Sequence, residues 1–312
     1  MPEKHFKLTM SDKSNFATNT RLIQTGSTQK LVLGVIRTSL ALGYRIAPHL
    51  AEAWLSKQFL HAKRYPWPKI EQEWMDKAEK FTLTTHGLPD PAWNGQAMQA
   101  YRWGKPRLGR IAVMHGWSGR ATQFHRFIPR FIDEGYEVIG IDAPGHGASG
   151  GKMASVLHFY NALDSLVQHA GSVDAIVGHS LGGGTTLYAM SQGVKTRRAV
   201  LIAPNADLIS HSRTMTRQLM LNEDQRLSLQ SRIEKQFGVT WEAVSGTHVA
   251  PLVKQSGLVI HCKDDREIPF QMGQSIAGAW PGAQLEAVSG LGHRRILSSE
   301  DVVTSSLAFI RQ

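Results

Sequence analysis

The sequence has one cysteine, Cys262, among its 312 residues. A single thiol excludes an internal disulfide, so nothing requires an oxidising compartment, and we expect a cytoplasmic protein. Cys262 follows an apolar run and is predicted to be a small buried residue. The fourteen histidines are scattered, and no Cys/His spacing typical of zinc is present. We therefore expect a protein that needs no metal and no organic cofactor.

Long apolar runs are also absent. The most apolar stretch, residues 31–47, is too short to cross a bilayer comfortably and contains Arg37 and Arg45. It predicts a helix packed on the main body, followed by a second helix over 50–61. The alternative is peripheral membrane contact through residues 31–61. Residues 1–29 are polar, do not resemble a secretory signal, and are expected to be loosely ordered.

Charged residues make up 19% of the chain, and its formal net charge is +10. The sequence contains no dense basic run with interleaved aromatic residues, so we predict a solvated basic surface and no nucleic-acid partner. The hydrophobic content of 42% is typical of a folded globular protein.

From Phe81 onward, short apolar runs alternate with helical patterns. This alternation predicts an α/β fold with a mostly parallel sheet covered by helices on both faces, beginning with an antiparallel pair at 81–85 and 96–103. A helix is expected over 122–134. Between 204 and 257 the strand-like runs stop, and three short helices are predicted over 208–220, 223–237 and 241–253.

The predicted organisation has three parts. An N-terminal helical extension covers 1–80, the α/β core covers 81–206 and 257–312, and a small helical cap covers 207–256. An insertion at this point of an α/β fold is expected to lie over the carboxyl ends of the strands, where ligands bind.

The most informative motif is Gly178-His179-Ser180-Leu181-Gly182, between an apolar run and a helical pattern. Flanking glycines allow a sharp strand-to-helix turn that exposes the hydroxyl of Ser180. The next helix begins there, and the free N–H of Leu181 can stabilise a developing oxyanion. The motif predicts a nucleophilic serine.

A second glycine-rich loop, His115-Gly116-Trp117-Ser118-Gly119, directly follows a predicted strand. It can present the backbone N–H of Trp117 to the same oxyanion, as the partner of the Leu181 N–H. The loop from Asp142 to Ser149 follows another strand. We expect it to shape the site; a direct catalytic role for Asp142 or His146 is the less favoured alternative.

Two further signals supply an acid and a base. Asp264 and Asp265 follow the strand that ends near Cys262, and His293 lies in Gly290-Leu291-Gly292-His293 after the last strand. A carboxylate can orient a histidine that takes the proton of a serine. We choose Asp265 for this role, while Asp264 stays open as an alternative.

In these motifs, from about Phe81 to the C-terminus, the sequence resembles the α/β-hydrolase superfamily, and within it bacterial serine hydrolases of unassigned substrate. The chain order serine, acid, histidine is the one this fold uses. The resemblance implies a nucleophile elbow at Ser180, an acid at Asp265, a general base at His293 and an oxyanion loop at Trp117. Cys262 departs from the glycine that many relatives carry, and the N-terminal helices are an addition.

The resulting hypothesis is a carboxylesterase-like serine hydrolase that acts on a small-molecule acyl substrate through an acyl-enzyme. Thioester, lactone and amide bonds stay open, because fold and triad do not fix the bond. Two alternatives are a single-turnover ligand receptor on the same fold and a membrane-surface lipid hydrolase. The sequence assigns no oligomeric state.

Overall fold

Eight strands of the computed structural model, which describes residues 27–205 and 207–312, form one sheet. The strands are β1 Glu79–Thr84, β2 Ala97–Trp103, β3 Gly109–Met114, β4 Tyr136–Ile141, β5 Val173–His179, β6 Thr196–Ile202, β7 Ser256–Cys262 and β8 Ala283–Val288. Their order across the sheet is β1-β2-β4-β3-β5-β6-β7-β8. The pairs β1–β2 and β2–β4 are antiparallel, and all the others are parallel.

The helices connect the strands and cover the sheet. They are α1 Ser27–Ile46, α2 Pro48–Phe59, α3 Lys69–Asp76, α4 Phe127–Glu134, α5 Val156–Ala170, α6 Leu181–Ser191, α7 Leu208–Gln218, α8 Glu223–Phe237, α9 Gly246–Val249, α10 Phe270–Ala279, α11 Gly292–Arg295 and α12 Glu300–Ile310. Apolar clusters lie on both faces, one containing side chains of α5, α6 and α10, the other side chains of α4 and α12. The predicted α/β fold is confirmed.

The central strands show why an apolar run becomes a strand here. Every residue of β4 is buried, as are the last four of β3 and β6. A parallel strand between two helical layers has no face toward water, so an alternating polar pattern is not needed. Because β3, β5, β6 and β7 run in the same direction, the carboxyl ends of β3, β5 and β7 lie at the same edge of the sheet.

Two predicted helices are shorter than expected, and proline explains both. The segment expected to be one helix over 122–134 is split into a 3₁₀ turn at Ala121–Phe124 and then α4. Pro129 has no N–H to donate to the carbonyl one turn earlier. Because a proline is tolerated in the first turn of a helix, the α-helix begins at Phe127. In the run 241–253, Pro251 likewise confines the α-helix to α9, which a 3₁₀ turn follows.

The expectation of loose order for residues 1–29 falls, over 1–26, outside the described residues; α1 already begins at Ser27. Pro48 occupies the first turn of α2, where a missing N–H costs nothing. Among the described residues, no helix is both long and apolar enough to span a membrane.

Helix α8, in the 207–256 insertion, packs against the N-terminal extension. Its start is set by a capping box in which Asn222 and Gln225 each accept the other's backbone N–H at 2.9 Å. Spaced four residues apart, Leu229, Ile233 and Phe237 form a buried face. This face belongs to an apolar cluster that also holds residues of α2 and the loop between β1 and β2. The extension and the 207–256 insertion thus share one small core.

A buried ion pair fixes the extension to the loop after β3. Arg120 Nε donates to Glu71 Oε2 at 2.5 Å, and the two side chains are only 7% and 8% exposed. The other guanidinium nitrogens donate to the carbonyls of Tyr65 and Pro66 at 2.8 and 3.1 Å. The Trp67 ring lies 4.4 Å from the guanidinium. All three guanidinium nitrogens of Arg120 thus donate to the segment 65–71.

Replacing Glu71 by glutamine is expected to destabilise the protein. The change preserves shape but leaves the buried Arg120 guanidinium without its counter-charge, which costs about 3 kcal/mol of unfolding free energy. Urea unfolding measures the loss. Glu73→Gln, on the exposed side of the same helix, is the control and should cost under about 0.5 kcal/mol. Equal losses in the two variants would contradict the role of the ion pair.

Candidate active site

Ser180 lies between β5 and α6 in a strained backbone conformation, with φ 53° and ψ −121°. A non-glycine residue pays about 1–3 kcal/mol to adopt such a conformation, so the surrounding structure must impose it. The Ser180 N–H donates to the Ile202 carbonyl at 2.9 Å, which ties the turn to β6. The side chain is thereby carried to the carboxyl edge of the sheet.

Two glycines allow this turn by removing side-chain atoms from tight contacts. A Cβ on Gly182 would lie 2.3 and 2.4 Å from the carbonyl oxygens of His115 and Met114. A Cβ on Gly116 would lie 2.8 Å from the Ser180 Cβ. All three distances are far inside van der Waals contact. The loop after β3 therefore runs directly against Ser180.

The structure brings Ser180, His293 and Asp265 together in one chain of hydrogen bonds. His293 Nε2 lies 3.0 Å from Ser180 Oγ, and His293 Nδ1 lies 2.8 Å from Asp265 Oδ2. The Asp265 side chain is fully buried. Burial would raise the pKa of Asp265, but hydrogen bonds from His261 and His293 outweigh it and hold that pKa below its usual range. The carboxylate is therefore ionised and accepts the Nδ1–H of His293.

The neighbouring Asp264 has a different position. Its Oδ1 accepts the Gly290 N–H at 2.7 Å and the Cys262 thiol at 3.1 Å. The Cys262 sulfur in turn accepts the Gly292 N–H at 3.1 Å. Asp264 and Cys262 thus bind the glycine loop that carries His293. The sequence predicted only a buried cysteine, because nothing local indicates this contact across 30 residues.

The two expected oxyanion donors belong to the two segments next to the Ser180 side chain. Leu181 is the first residue of α6, so its N–H has no carbonyl partner one turn earlier in the helix. Trp117 follows Gly116, which contacts the Ser180 side chain. Both Trp117 and Leu181 also line the cavity described below. The loop is further held through Ser118, whose Oγ accepts the Lys63 N–H at 3.2 Å.

Asp142 is buried, and its two carboxylate oxygens accept three hydrogen bonds. It accepts the Tyr101 hydroxyl at 3.0 Å and the N–H groups of Ala121 and Ala148 at 2.8 and 2.9 Å. These contacts connect the loop after β4 to the end of the loop after β3. They agree with a shaping role for Asp142.

His179 is a feature of the site that the sequence did not indicate. Its Nε2 donates to the His293 carbonyl at 3.0 Å, and the two rings lie 4.8 Å apart. Since a carbonyl only accepts, the proton of the neutral ring resides on Nε2. His179 therefore fixes the backbone of His293. The residues are 114 positions apart, which is why no local pattern could predict the contact.

A cavity of about 70 Å³ lies beside Trp117 and Leu181. Its walls come from three parts of the chain: the extension, the core and the insertion. They are formed by Phe59, Leu60, Trp117, Ala154, Ser155, Val156, Leu157, Leu181, Asn205, Leu208, His211, Ile233, Phe237, Val239, Trp241 and Val244. Within the described chain, none of these wall residues is a lysine, arginine, aspartate or glutamate. The cavity suits a neutral, apolar group.

The part of the chain that the structure describes has no cluster of three or more His, Cys, Asp or Glu side chains able to hold a metal ion.

Comparison with known proteins gives the following likenesses. Residues 105–293 match the serine aminopeptidase S33 family. The 2-hydroxy-6-oxononadienedioate/2-hydroxy-6-oxononatrienedioate hydrolase of Pseudomonas sp. is 23% identical over 221 residues, covering 57% of this chain and 76% of that protein. Among solved structures, an esterase from Exiguobacterium antarcticum (16% identity, TM-score 0.56) covers 74% of this chain and 100% of its own. A bromoperoxidase from Bacillus anthracis has 16% sequence identity and a TM-score of 0.55, and it also covers 74% of this chain and 100% of its own.

The sheet order, the helical layers and these likenesses define an α/β-hydrolase enzyme. At such low identities the solved structures carry the fold and not the substrate. The family match spans more than half of the chain, and the protein belongs to the serine aminopeptidase S33 family of hydrolases.

Four buried histidines surround the carboxyl edge of the sheet. Burial lowers the pKa of His115 and His158 to about 4 and the pKa of His146 and His179 to about 3. All four rings are neutral at pH 7. In the unfolded chain they bind protons near pH 6.5. Between about pH 6.5 and 4 the unfolded state therefore binds more protons than the folded state, and stability falls as the pH falls.

The substitution His158→Gln is expected to flatten this pH dependence. Each such histidine contributes a slope of about 1.4 kcal/mol per pH unit below its unfolded pKa, so the variant should lose a slope of that size. Urea unfolding between pH 6 and 4.5 measures it. His49→Gln, at an exposed ring, is the control and should leave the slope unchanged. An unaltered slope in His158→Gln would contradict the prediction.

Proposed function

We propose that the protein is a serine esterase in which Ser180 is the nucleophile, His293 the general base and Asp265 the acid that orients it. The observation that carries the proposal is the continuous hydrogen-bond chain from Ser180 Oγ through both ring nitrogens of His293 to Asp265 Oδ2. Serine is a weak nucleophile at neutral pH and requires such a base.

The reaction runs in two stages. His293 Nε2 takes the hydroxyl proton while Ser180 Oγ attacks the acyl carbonyl carbon, and Asp265 stabilises the resulting imidazolium. The N–H groups of Trp117 and Leu181 bind the oxyanion, each contributing about 10²–10³ in rate. The tetrahedral intermediate collapses, and the alcohol leaves with the proton from His293. Water, activated by His293, then attacks the acyl-enzyme and releases the acid.

The cavity supports a neutral ester with an apolar acyl or alcohol group. An aminopeptidase must accept a substrate ammonium group, which favours a carboxylate in the site. A hydrolase for a dioate must accept a second carboxylate, which favours a lysine or arginine. The described wall residues include neither kind of charge. Burying an unpaired substrate charge there would cost several kcal/mol. These considerations favour the ester over the substrates suggested by the relatives' names.

The substitution Ser180→Ala is expected to abolish turnover. In wild-type protein, p-nitrophenyl esters of apolar acids should give steady product release over many turnovers, while aminoacyl p-nitroanilides should be cleaved at least about 10²-fold more slowly, since the cavity cannot pair the ammonium group. Stopped product release after one equivalent would favour a single-turnover receptor. Unchanged ester cleavage in the alanine variant would refute the nucleophile, as would fluorophosphonate labelling of another residue.

The two adjacent aspartates provide a matched pair of variants. Asp265→Asn replaces the carboxylate that accepts the His293 Nδ1–H, and kcat is expected to fall by about 10³-fold or more. Asp264→Asn keeps an amide oxygen that can accept the Gly290 N–H, so its loss should stay within about tenfold. Steady-state kinetics on one p-nitrophenyl ester measure both. The opposite ranking would assign the acid role to Asp264.

A further inference from the structure

The two N-terminal helices expose an unusual share of the apolar surface. Among the described residues, fourteen large hydrophobic side chains are exposed, and half of them lie on α1 and α2. They are Leu31, Val32, Val35, Leu42, Ile46, Leu50 and Trp54. The clustering of exposed apolar residues on these two helices needs an explanation. Exposed apolar residues scattered singly are normal, but contiguous ones mark an interaction site.

The residues of α1 form a stripe. At 3.6 residues per turn, Leu31, Val35, Leu42 and Ile46 fall within about 60° of helix circumference. Their exposed fractions run from 56% to 74%. We call these four residues the α1 stripe. The opposite side of α1 faces the protein, where Leu40 is 4% exposed, and Arg37 Nε donates to the Gln218 carbonyl at 2.9 Å.

The charges around the α1 stripe have one sign. Residues 27–65 contain six lysines and arginines and a single acidic residue, Glu52. Glu52 is used internally, since its carboxylate accepts the Ser228 hydroxyl at 2.5 Å. Lys30 and Arg45 on α1 and Lys57 on α2 are exposed. The basic residues of the chain are spread along it, as the sequence predicted, but acidic residues are scarce here.

We propose that the α1 stripe is a docking surface for an anionic lipid bilayer, on which α1 lies in the interface plane. An exposed apolar stripe on a helix with basic and no acidic residues is the combination that such helices use. A bilayer supplies both an apolar layer for the α1 stripe and negative headgroups for Lys30 and Arg45. A second copy of the chain would place the same positive charges against one another.

Helix α2 connects this surface to the proposed active site. Leu50 and Trp54 are exposed near its start, while Phe59 at its end and Leu60 beyond it line the cavity. Leu50 and Phe59 are nine positions apart on α2, about 14 Å along the axis. A lipid-bound α1 would hold the apolar cavity within a short distance of a membrane-dissolved substrate. The docking proposal itself does not depend on the proposed function.

Sedimentation with vesicles tests the proposal. Full-length protein should bind vesicles of phosphatidylglycerol and phosphatidylcholine, and bind phosphatidylcholine alone at least tenfold more weakly. The double variant Val35→Glu/Leu42→Glu should lose at least tenfold in partition coefficient. The control Leu108→Glu/Leu252→Glu adds the same two charges at sites that are both 61% exposed, and should lose less than threefold. The partition coefficient of Lys30→Gln/Arg45→Gln should fall about 30-fold, because each basic residue near an anionic surface contributes about 1 kcal/mol of attraction.

Cleavage of a water-soluble p-nitrophenyl ester by all variants is measured in parallel. Wild-type rates in the α1 variants show that the fold is intact, so that a binding loss can be assigned to the surface. Absence of vesicle binding in the wild type overturns the docking proposal, whether or not the ester is cleaved. Equal losses in the stripe and control variants overturn it too. A dimer in gel filtration that Val35→Glu/Leu42→Glu dissociates, without vesicle binding, would assign the stripe to a second copy.

Discussion

The position of Ser180 depends on how closely two strand ends approach each other. The backbone after β5 turns so tightly that Gly182 lies against the carbonyls of Met114 and His115, and Gly116 lies against Ser180. Parallel neighbours in a sheet end at the same edge, so their loops compete for the same space. A side chain at position 116 or 182 would not fit there. At this contact Ser180 has its positive φ, and α6 begins at the next residue, Leu181.

The same crowding explains why so many polar groups at this edge act on backbone atoms. His179 holds the carbonyl of His293, Cys262 holds the N–H of Gly292, and Asp142 holds the N–H of Ala121. Loops that turn at strand ends leave backbone groups without sheet partners, and a buried group without a partner costs about 1–3 kcal/mol. Side chains on neighbouring loops supply the missing bonds. The proposed reacting atoms are thus held by a network of loops and not by any one element.

The sequence predicted the parts of this arrangement that are local. Glycine-bounded motifs after apolar runs indicated Ser180 and His293, because the conformations they require can be recognised from neighbouring residues. The sequence offered weaker grounds for choosing between Asp264 and Asp265, because both follow the same strand. Only the fold shows that Asp265 lies beside His293 and Asp264 beside Gly290. Contacts such as Arg120 with Glu71 span 49 residues and leave no periodic signal. The helix boundaries near Pro129 and Pro251 could have been predicted from the missing N–H groups.

The extension is where these observations combine, because it belongs to the site as well as to the surface. Glu71 neutralises the buried Arg120, which lies three residues after Trp117, and Phe59 closes one side of the cavity. Removal of the extension would therefore expose the face of α8 that Leu55 covers, and it would leave the Arg120 guanidinium without Glu71. A truncation that deletes residues 1–80 would lose stability, cavity shape and any lipid contact together. Separating these roles requires point variants on opposite sides of the helices, since one side of α1 and α2 packs on the protein and the other faces outward.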